Sequence, residues 1–242
     1  MFPHPLTQAD LLELWEQGEG ARTVRRARVL LAAAQCEEAA EPMTVGRRDA
    51  ALLDLRECLF GSRFTGITRC PQCDTEIELT FDAPEVRRPA PPPAETTFAI
   101  DAGGVTMECR LPAAADLETL DGMGDIAAAR NALLTACIVR AERGGVAIDV
   151  ASLPGEIGDA VAARMGELDP QADVAFDVSC PSCAHAWREP FDVLTFLWSE
   201  IAAHARRLLG DVHLLASAYG WSESDILGMS PQRRAVYIGM LP

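Results

Sequence analysis

The sequence is poor in positive charge. Lys and Arg together number 21 against 36 Asp and Glu, a formal net charge of -15. That balance argues against binding a phosphate backbone or an anionic membrane surface, both of which need clustered cations. No run of about 18 apolar residues occurs, so no spanning helix is expected. Met1 to Trp15 lack a basic start and carry acids early, so no secretory signal is read there, and cytoplasmic, reduced thiols are the expectation. Familiar catalytic signatures are missing too: there is no G-x-S-x-G, H-E-x-x-H or Walker sequence. Gly103 and Gly104 do not open a helix, so no nucleotide-binding loop is indicated. His4, His185, His204 and His213 are scattered, and no Asp/Glu pair stands out as acid and base. These absences make a non-enzymatic protein the expectation.

What is present is a repeat. Cys70-Pro71-Gln72-Cys73 is followed by seven residues and then Phe81-Asp82; Cys180-Pro181-Ser182-Cys183 is followed by seven residues and then Phe191-Asp192. One C-x-x-C pair is a weak signal, but two copies in register are a strong one. A zinc ion takes four soft ligands in a tetrahedron, and a pair of thiolates two residues apart fits half of that shell. Ile77, Leu79 and Phe81 alternate after the first pair; Val174, Phe176 and Val178 alternate before the second. Period-two spacing is strand spacing. Each pair is therefore read as the tip of a β-hairpin, and Cys70, Cys73, Cys180 and Cys183 as the ligands of one structural zinc.

The obstacle is distance along the chain. Ribbon pairs normally lie about 15–20 residues apart, so here the middle of the chain must be an insertion between two halves of one ribbon. Two other readings stay open: two turns whose thiols bind nothing, and a thioredoxin-like redox pair, which would require a helix directly after one pair. Cys36, Cys58, Cys109 and Cys137 are read as small core residues, with Cys58 or His185 as substitutes for a missing ligand.

With 242 residues and a hydrophobic fraction of 49%, the chain can build a proper core. Helices are expected from Thr7 to Gly18, from Ala21 to Ala40 and from Arg47 to Phe60, the last with Leu52, Leu55, Cys58 and Leu59 inward. Ala83 to Ala94, with five prolines, reads as a semi-rigid spacer. Thr96 to Ile100 and Val105 to Leu111 flank a glycine turn and read as a hairpin. A short helix from Asp116, a longer one from Ile126 to Ala141 ended by Gly144-Gly145, and one from Pro154 to Leu168 follow. Leu194, Leu197, Ile201, Ala205, Leu208, Val212, Leu215 and Tyr219 form one apolar stripe on a long helix. Ser222 and Ser230-Pro231 cap two short helices after it. The fold class is α+β, mainly helical, with a small zinc-ribbon-like β unit formed by the two distant hairpins. Its expected parts are N-terminal helices (1–62), first ribbon half (63–82), spacer (83–95), inserted hairpin and helices (96–170), second ribbon half (171–192) and C-terminal helices (193–242).

A resemblance joins these features. Leu194-Thr195-Phe196-Leu197-Trp198-Ser199-Glu200, Asp211 to Ala216, Tyr219-Gly220-Trp221-Ser222-Glu223, Ile226-Leu227, Arg233-Arg234 and Tyr237 resemble baseplate proteins of contractile injection systems. These are similar to the baseplate hub assembly chaperones of T-even-type phages. The paired cysteines and Arg110-Leu111-Pro112 leading into Asp116-Leu117 carry the likeness further, over roughly residues 50 to 242 and most closely in the last sixty or so. The resemblance implies an assembly factor or structural component of a phage-tail-like baseplate, working by protein–protein contacts with hub, spike or other baseplate proteins. No catalytic residues carry over from it. The charge excludes nucleic acid as a partner, and the expected cytoplasmic protein can end inside an injection particle. The residue-level alternative is a zinc-ribbon regulator of nucleic acid or transcription machinery, which the charge opposes; a thiol oxidoreductase ranks behind it.

Overall fold

The computed structural model describes residues 6–34, 43–89, 96–120 and 122–241. In chain order come α1 (Gln8–Gly18), α2 (Thr23–Ala33), α3 (Val45–Phe60), β1 (Arg63–Arg69), β2 (Glu76–Asp82), α4 (Ala83–Val86), β3 (Thr97–Ala102) and β4 (Val105–Arg110). Then follow α5 (Ala114–Leu120), α6 (Ile126–Cys137), β5 (Ile138–Arg143), β6 (Val146–Ala147), α7 (Gly155–Leu168), β7 (Ala175–Ser179), β8 (Ala186–Pro190), α8 (Val193–Tyr219), α9 (Glu223–Leu227) and α10 (Pro231–Ile238). Small antiparallel sheets among predominant helices make the fold α+β. No helix among the described residues is long and apolar enough to cross a membrane.

The chain divides into two compact units: Met1–Gln35 with Leu194–Pro242, and Cys36–Val193. Counted on the sequence, the first holds eight acids and eight arginines and is neutral; the second holds 28 acids and 13 arginines, the whole -15.

The neutral unit is helical. Thr7 and Asp10 cap each other at the start of α1, whose Leu11, Leu12 and Leu14 are buried. Gly18 ends α1 against Trp198, where a Cβ would meet the indole at 2.2 Å. The Arg26 guanidinium lies 4.7 Å from the centre of the same ring. The expected stripe on α8 becomes the core: Leu194, Leu197, Ile201, Ala205, Leu208 and Leu215 are buried, while Val212 is half-buried and Tyr219 exposed. Ser222 and Ser230 cap α9 and α10 as expected. The Arg233-Arg234 pair splits: Arg234 is buried, donates to the Met229 carbonyl at 2.9 Å and lies 3.5 Å from the Asp211 carboxylate, while Arg233 lies over Tyr237.

In the acidic unit, β3, β4, β5 and β6 form one antiparallel sheet in that order. Val105, Met107 and Cys109 of β4 pack with Leu134 and Cys137 of α6 and Ile157, Val161 and Met165 of α7. Helix α3 is anchored from far away: the Asp169 carboxylate, 123 residues on, accepts the Gly46 N–H at 2.9 Å, beside the Thr44 cap. Any side chain at Gly46 would collide with it, since a Cβ would sit 1.9 Å from Asp169 Oδ1.

Four expectations are corrected. The helix from Ile126 stops at Cys137, and Ile138 to Arg143 form β5. Pairing with β4 puts Ile138 and Ala141 into the sheet core, and β-branched Ile138-Val139 suits a strand. Gly144-Gly145 is then the turn of a β5–β6 hairpin, both residues having positive φ. The expected spacer begins as α4, because Asp82 and Glu85 cap each other and Pro84 suits the first turn; residues 90–95 of that segment lie outside the described residues. Helix α2 begins at Thr23, and residues 35–40 of the expected helix, Cys36 among them, also lie outside the described residues. Cys58 is exposed rather than in the core, whereas Cys109 and Cys137 are fully buried.

Candidate metal centre

Strands β1 and β2 pair antiparallel in register from Arg63↔Asp82 to Arg69↔Glu76, and β7 and β8 from Ala175↔Pro190 to Ser179↔Ala186. Each cysteine pair occupies the tip between its strands, and the two tips share one backbone turn. The Cys70 N–H donates to the Thr75 carbonyl at 2.9 Å, and the Asp74 N–H to the Cys70 carbonyl at 2.9 Å. In the second tip, the Cys180 N–H donates to the His185 carbonyl at 2.8 Å, and the Ala184 N–H to the Cys180 carbonyl at 3.0 Å. The residue after each second cysteine is left-handed, Asp74 at φ 59° and Ala184 at φ 58°. Asp tolerates that region; Ala pays a steric penalty there.

The tips face each other. All four Sγ atoms lie within 4.8 Å of one another, with Cys70–Cys183 and Cys73–Cys180 at 3.6 Å each. Zinc–sulfur bonds of about 2.3 Å in a tetrahedron require sulfurs about 3.8 Å apart, so the spacing and the donor set fit a four-thiolate metal shell. Burial follows the same two-fold pattern, with Cys70 and Cys180 buried and Cys73 and Cys183 exposed. The separation of 107 residues between Cys73 and Cys180 is closed by the fold, and the sheet with its helices is looped out between the hairpins.

The thiols do not ionise alike. The Thr75 hydroxyl, with its Oγ1 3.2 Å from the sulfur, and then the Thr75 backbone bring Cys73 down to about 6. Burial works against ionisation of Cys180, but the backbone N–H groups of Cys183 and Ser182 hold it below the ordinary thiol value. The His185 backbone favours the Cys183 thiolate, yet water lost from around the sulfur and the three neighbouring thiols push Cys183 up to about 12. Four sulfurs this close cannot all carry charge unaided, and a divalent cation is what would let them.

Aromatic rings support the two hairpins from below. Phe64 stacks on Phe81 at 4.9 Å, Phe81 meets Phe176 at 4.5 Å and Phe191 at 5.3 Å, and Phe176 meets Phe191 at 5.7 Å. The repeated Phe81 and Phe191 are thus core partners of one another. Arg56 is buried with its guanidinium 3.7 Å from the centre of the Phe64 ring, and donates to the Gly61 carbonyl. Across the hairpins, the Thr68 hydroxyl donates to Glu189 at 3.0 Å, and Trp187 Nε1 donates to the same carboxylate at 2.7 Å. His185 stacks on Trp187 and, like Cys58, is not part of the sulfur cluster. Neither cysteine pair opens a helix, so the thioredoxin arrangement does not fit.

Sequence reasoning found the four cysteines and missed Arg56, Phe64 and Asp169. Arg56 sits in a helical pattern like any surface arginine, and only the third dimension puts it under a ring.

Two thiol hairpins closing over one aromatic core, with an inserted sheet between them, define a zinc-ribbon-like class of protein with its halves far apart in sequence. The sequence model of one family, described as T4 bacteriophage base plate protein, matches residues 27–198, which is 172 of the 242 residues. The chain belongs to that family. A structural or assembly role in a phage baseplate follows, with other baseplate proteins as its partners. No curated protein and no solved structure matches the chain. The matched stretch contains both cysteine pairs and Leu194 to Trp198; Asp211 to Tyr237, where the likeness was expected to be closest, lies beyond it.

Proposed function

We propose that the protein is a non-enzymatic assembly factor or structural component of the baseplate of a contractile, phage-tail-like system, held in shape by one zinc ion on Cys70, Cys73, Cys180 and Cys183. Hub and spike proteins are its partners; it works in the cytoplasm and can enter the particle. The observation that carries the structural half of this reading is the sulfur cluster, with two edges of 3.6 Å. A shell of four thiolates leaves zinc no open position for water or substrate, so such an ion stabilises and does not catalyse. Structural zinc supplies about 10–16 kcal/mol in small zinc modules, against a typical net stability of about 5–15 kcal/mol. Here it would tie residues near 70 to residues near 180 and so fix the topology of the acidic unit. The family membership supports the other half: a baseplate protein acts on its neighbours in the assembly through its surfaces.

The test is purification of the full chain from cells assembling the particle, with zinc and bound baseplate proteins measured in the same sample. One zinc per chain with hub or spike proteins retained is the expected result. A folded chain free of metal contradicts the structural half. Particles that assemble normally without the protein contradict the other.

A further inference from the structure

The four-stranded sheet treats its two edges differently. Strand β6 is only two residues long, the common way to blunt an edge. Strand β3 is six residues long and, among the described residues, pairs along its whole length with β4 alone. The hydrogen-bond phase is fixed by the Leu111 N–H, which donates to the Thr96 carbonyl at 2.7 Å. In an antiparallel ladder, bonded pairs alternate. Phe98, Ile100 and Ala102, opposite Cys109, Met107 and Val105, therefore spend their backbone groups on β4. Thr97, Ala99 and Asp101 direct their N–H and C=O groups outward, and their side chains are exposed.

The ground beside that edge is shaped and charged. A cavity of about 490 Å³ opens on the sheet, lined by Thr97, Ala99, Thr106, Glu108, Arg140 and Glu142 among others. Small side chains on β3 leave room. Two carboxylates, Glu108 and Glu142, line the cavity with Arg140, which pairs with Glu142. Asp101 adds a third carboxylate on the edge strand, accepting from the Thr106 hydroxyl, and Arg110, opposite Thr97, is engaged by Asp116. The unit that carries this sheet holds all of the chain's -15.

We propose that β3 is a docking edge, at which an extended segment of another baseplate protein, rich in Arg or Lys, adds as a further strand. Backbone hydrogen bonds to Thr97, Ala99 and Asp101 would hold it, and its alternate side chains would enter the acidic cavity. Charge decides the occupant. A second copy of this chain would bring another strongly negative body to the same edge, and like charges facing each other disfavour that pairing. A basic strand meets complementary charge. This inference rests on the baseplate reading for the kind of partner, and on the sheet alone for the place.

The test puts a photoreactive phenylalanine analogue in place of Thr97 in the full chain, in cells assembling the particle. A crosslink into a segment of another baseplate protein with an excess of Arg or Lys is expected. Ala99→Pro removes an outward N–H and no bond to β4, so it should leave the melting temperature unchanged and lower the crosslink yield at least tenfold. Should that variant not fold, Asp101→Arg, which reverses the charge at the edge without touching the backbone, should lower the yield in the same way. A crosslink into a second copy of this chain or into an acidic segment overturns the inference, as does a yield unchanged in a folded Ala99→Pro or in Asp101→Arg. If baseplate proteins co-purify with the chain but position 97 never crosslinks, the edge assignment fails and the baseplate reading stands. If none co-purify, the baseplate reading itself fails.

Discussion

The first cysteine hairpin has strands of seven residues and the second has strands of five, yet at their tips the two backbones make the same two hydrogen bonds and the same left-handed step. Below the tips they share a phenylalanine, and there the likeness ends. Asp82 continues into a reciprocal cap with Glu85, whereas Asp192 contributes to an acidic neighbourhood around Asp49. The parts that stay alike are those a tetrahedral ion and a common aromatic core would constrain; the parts that differ are free of both.

The largest test of this symmetry is ligand removal. Cys73→Ser and Cys183→Ser should each abolish metal binding and remove most of a contribution on the order of 10 kcal/mol. Urea unfolding and metal content, measured together, should give nearly equal losses for the two. A loss confined to one hairpin breaks the equivalence. Next come the shared phenylalanines. Phe81→Ala and Phe191→Ala should cost about 3–5 kcal/mol each, with Phe81 the more costly because it is the more buried. Calorimetric melting of the two variants checks the order.

The third concerns the aspartates where the hairpins diverge. Burial pushes the Asp49 carboxyl up to about 6, against the pull of Arg48 and with help from Asp192 and Asp169. The folded chain thus keeps a proton that the unfolded chain releases near 3.8, so this group costs stability as pH rises through the window from 3.8 to about 6. The cost reaches about 3 kcal/mol above that window. Asp49→Asn should therefore stabilise the protein at neutral pH and make little difference below pH about 4, as denaturant midpoints across that range would show. The smallest effect is at the tips: Ala184→Gly should gain about 1 kcal/mol by relieving left-handed strain, and Asp74→Gly should gain less. Equal gains would mean that the two turns are not used as described.

The cysteine repeat was legible because its chemistry depends on residue type and spacing alone. Seven residues to Phe-Asp in both copies marked the clustered cysteines and the phenylalanines beneath them together. The long stripe on α8 was legible for the same reason, since every member lies three or four residues from the next. The β5–β6 hairpin was not. Leu133, Leu134, Cys137, Ile138 and Ala141 also keep helical spacing, and only pairing with β4 turns the last two into a strand. Cys58 keeps the inward phase of α3 with Leu52 and Leu55, yet it is exposed while they are buried. Thr44 caps α3 locally, but the Gly46 N–H beside it is taken by Asp169, and no local pattern predicts a partner 123 residues away. The charge division between the units was present in the sequence but had no meaning until the contacts drew the boundary.

The sharing of one ion by two distant thiol hairpins is open to direct measurement. Native mass spectrometry of the freshly purified full chain, followed by titration with a thiol-reactive mercurial, tests it most directly. One zinc per chain is expected, released only as Cys70, Cys73, Cys180 and Cys183 react, with unfolding of the acidic unit in the same step. A folded chain whose mass carries no metal, or one that keeps its zinc after those four thiols are blocked, would contradict it.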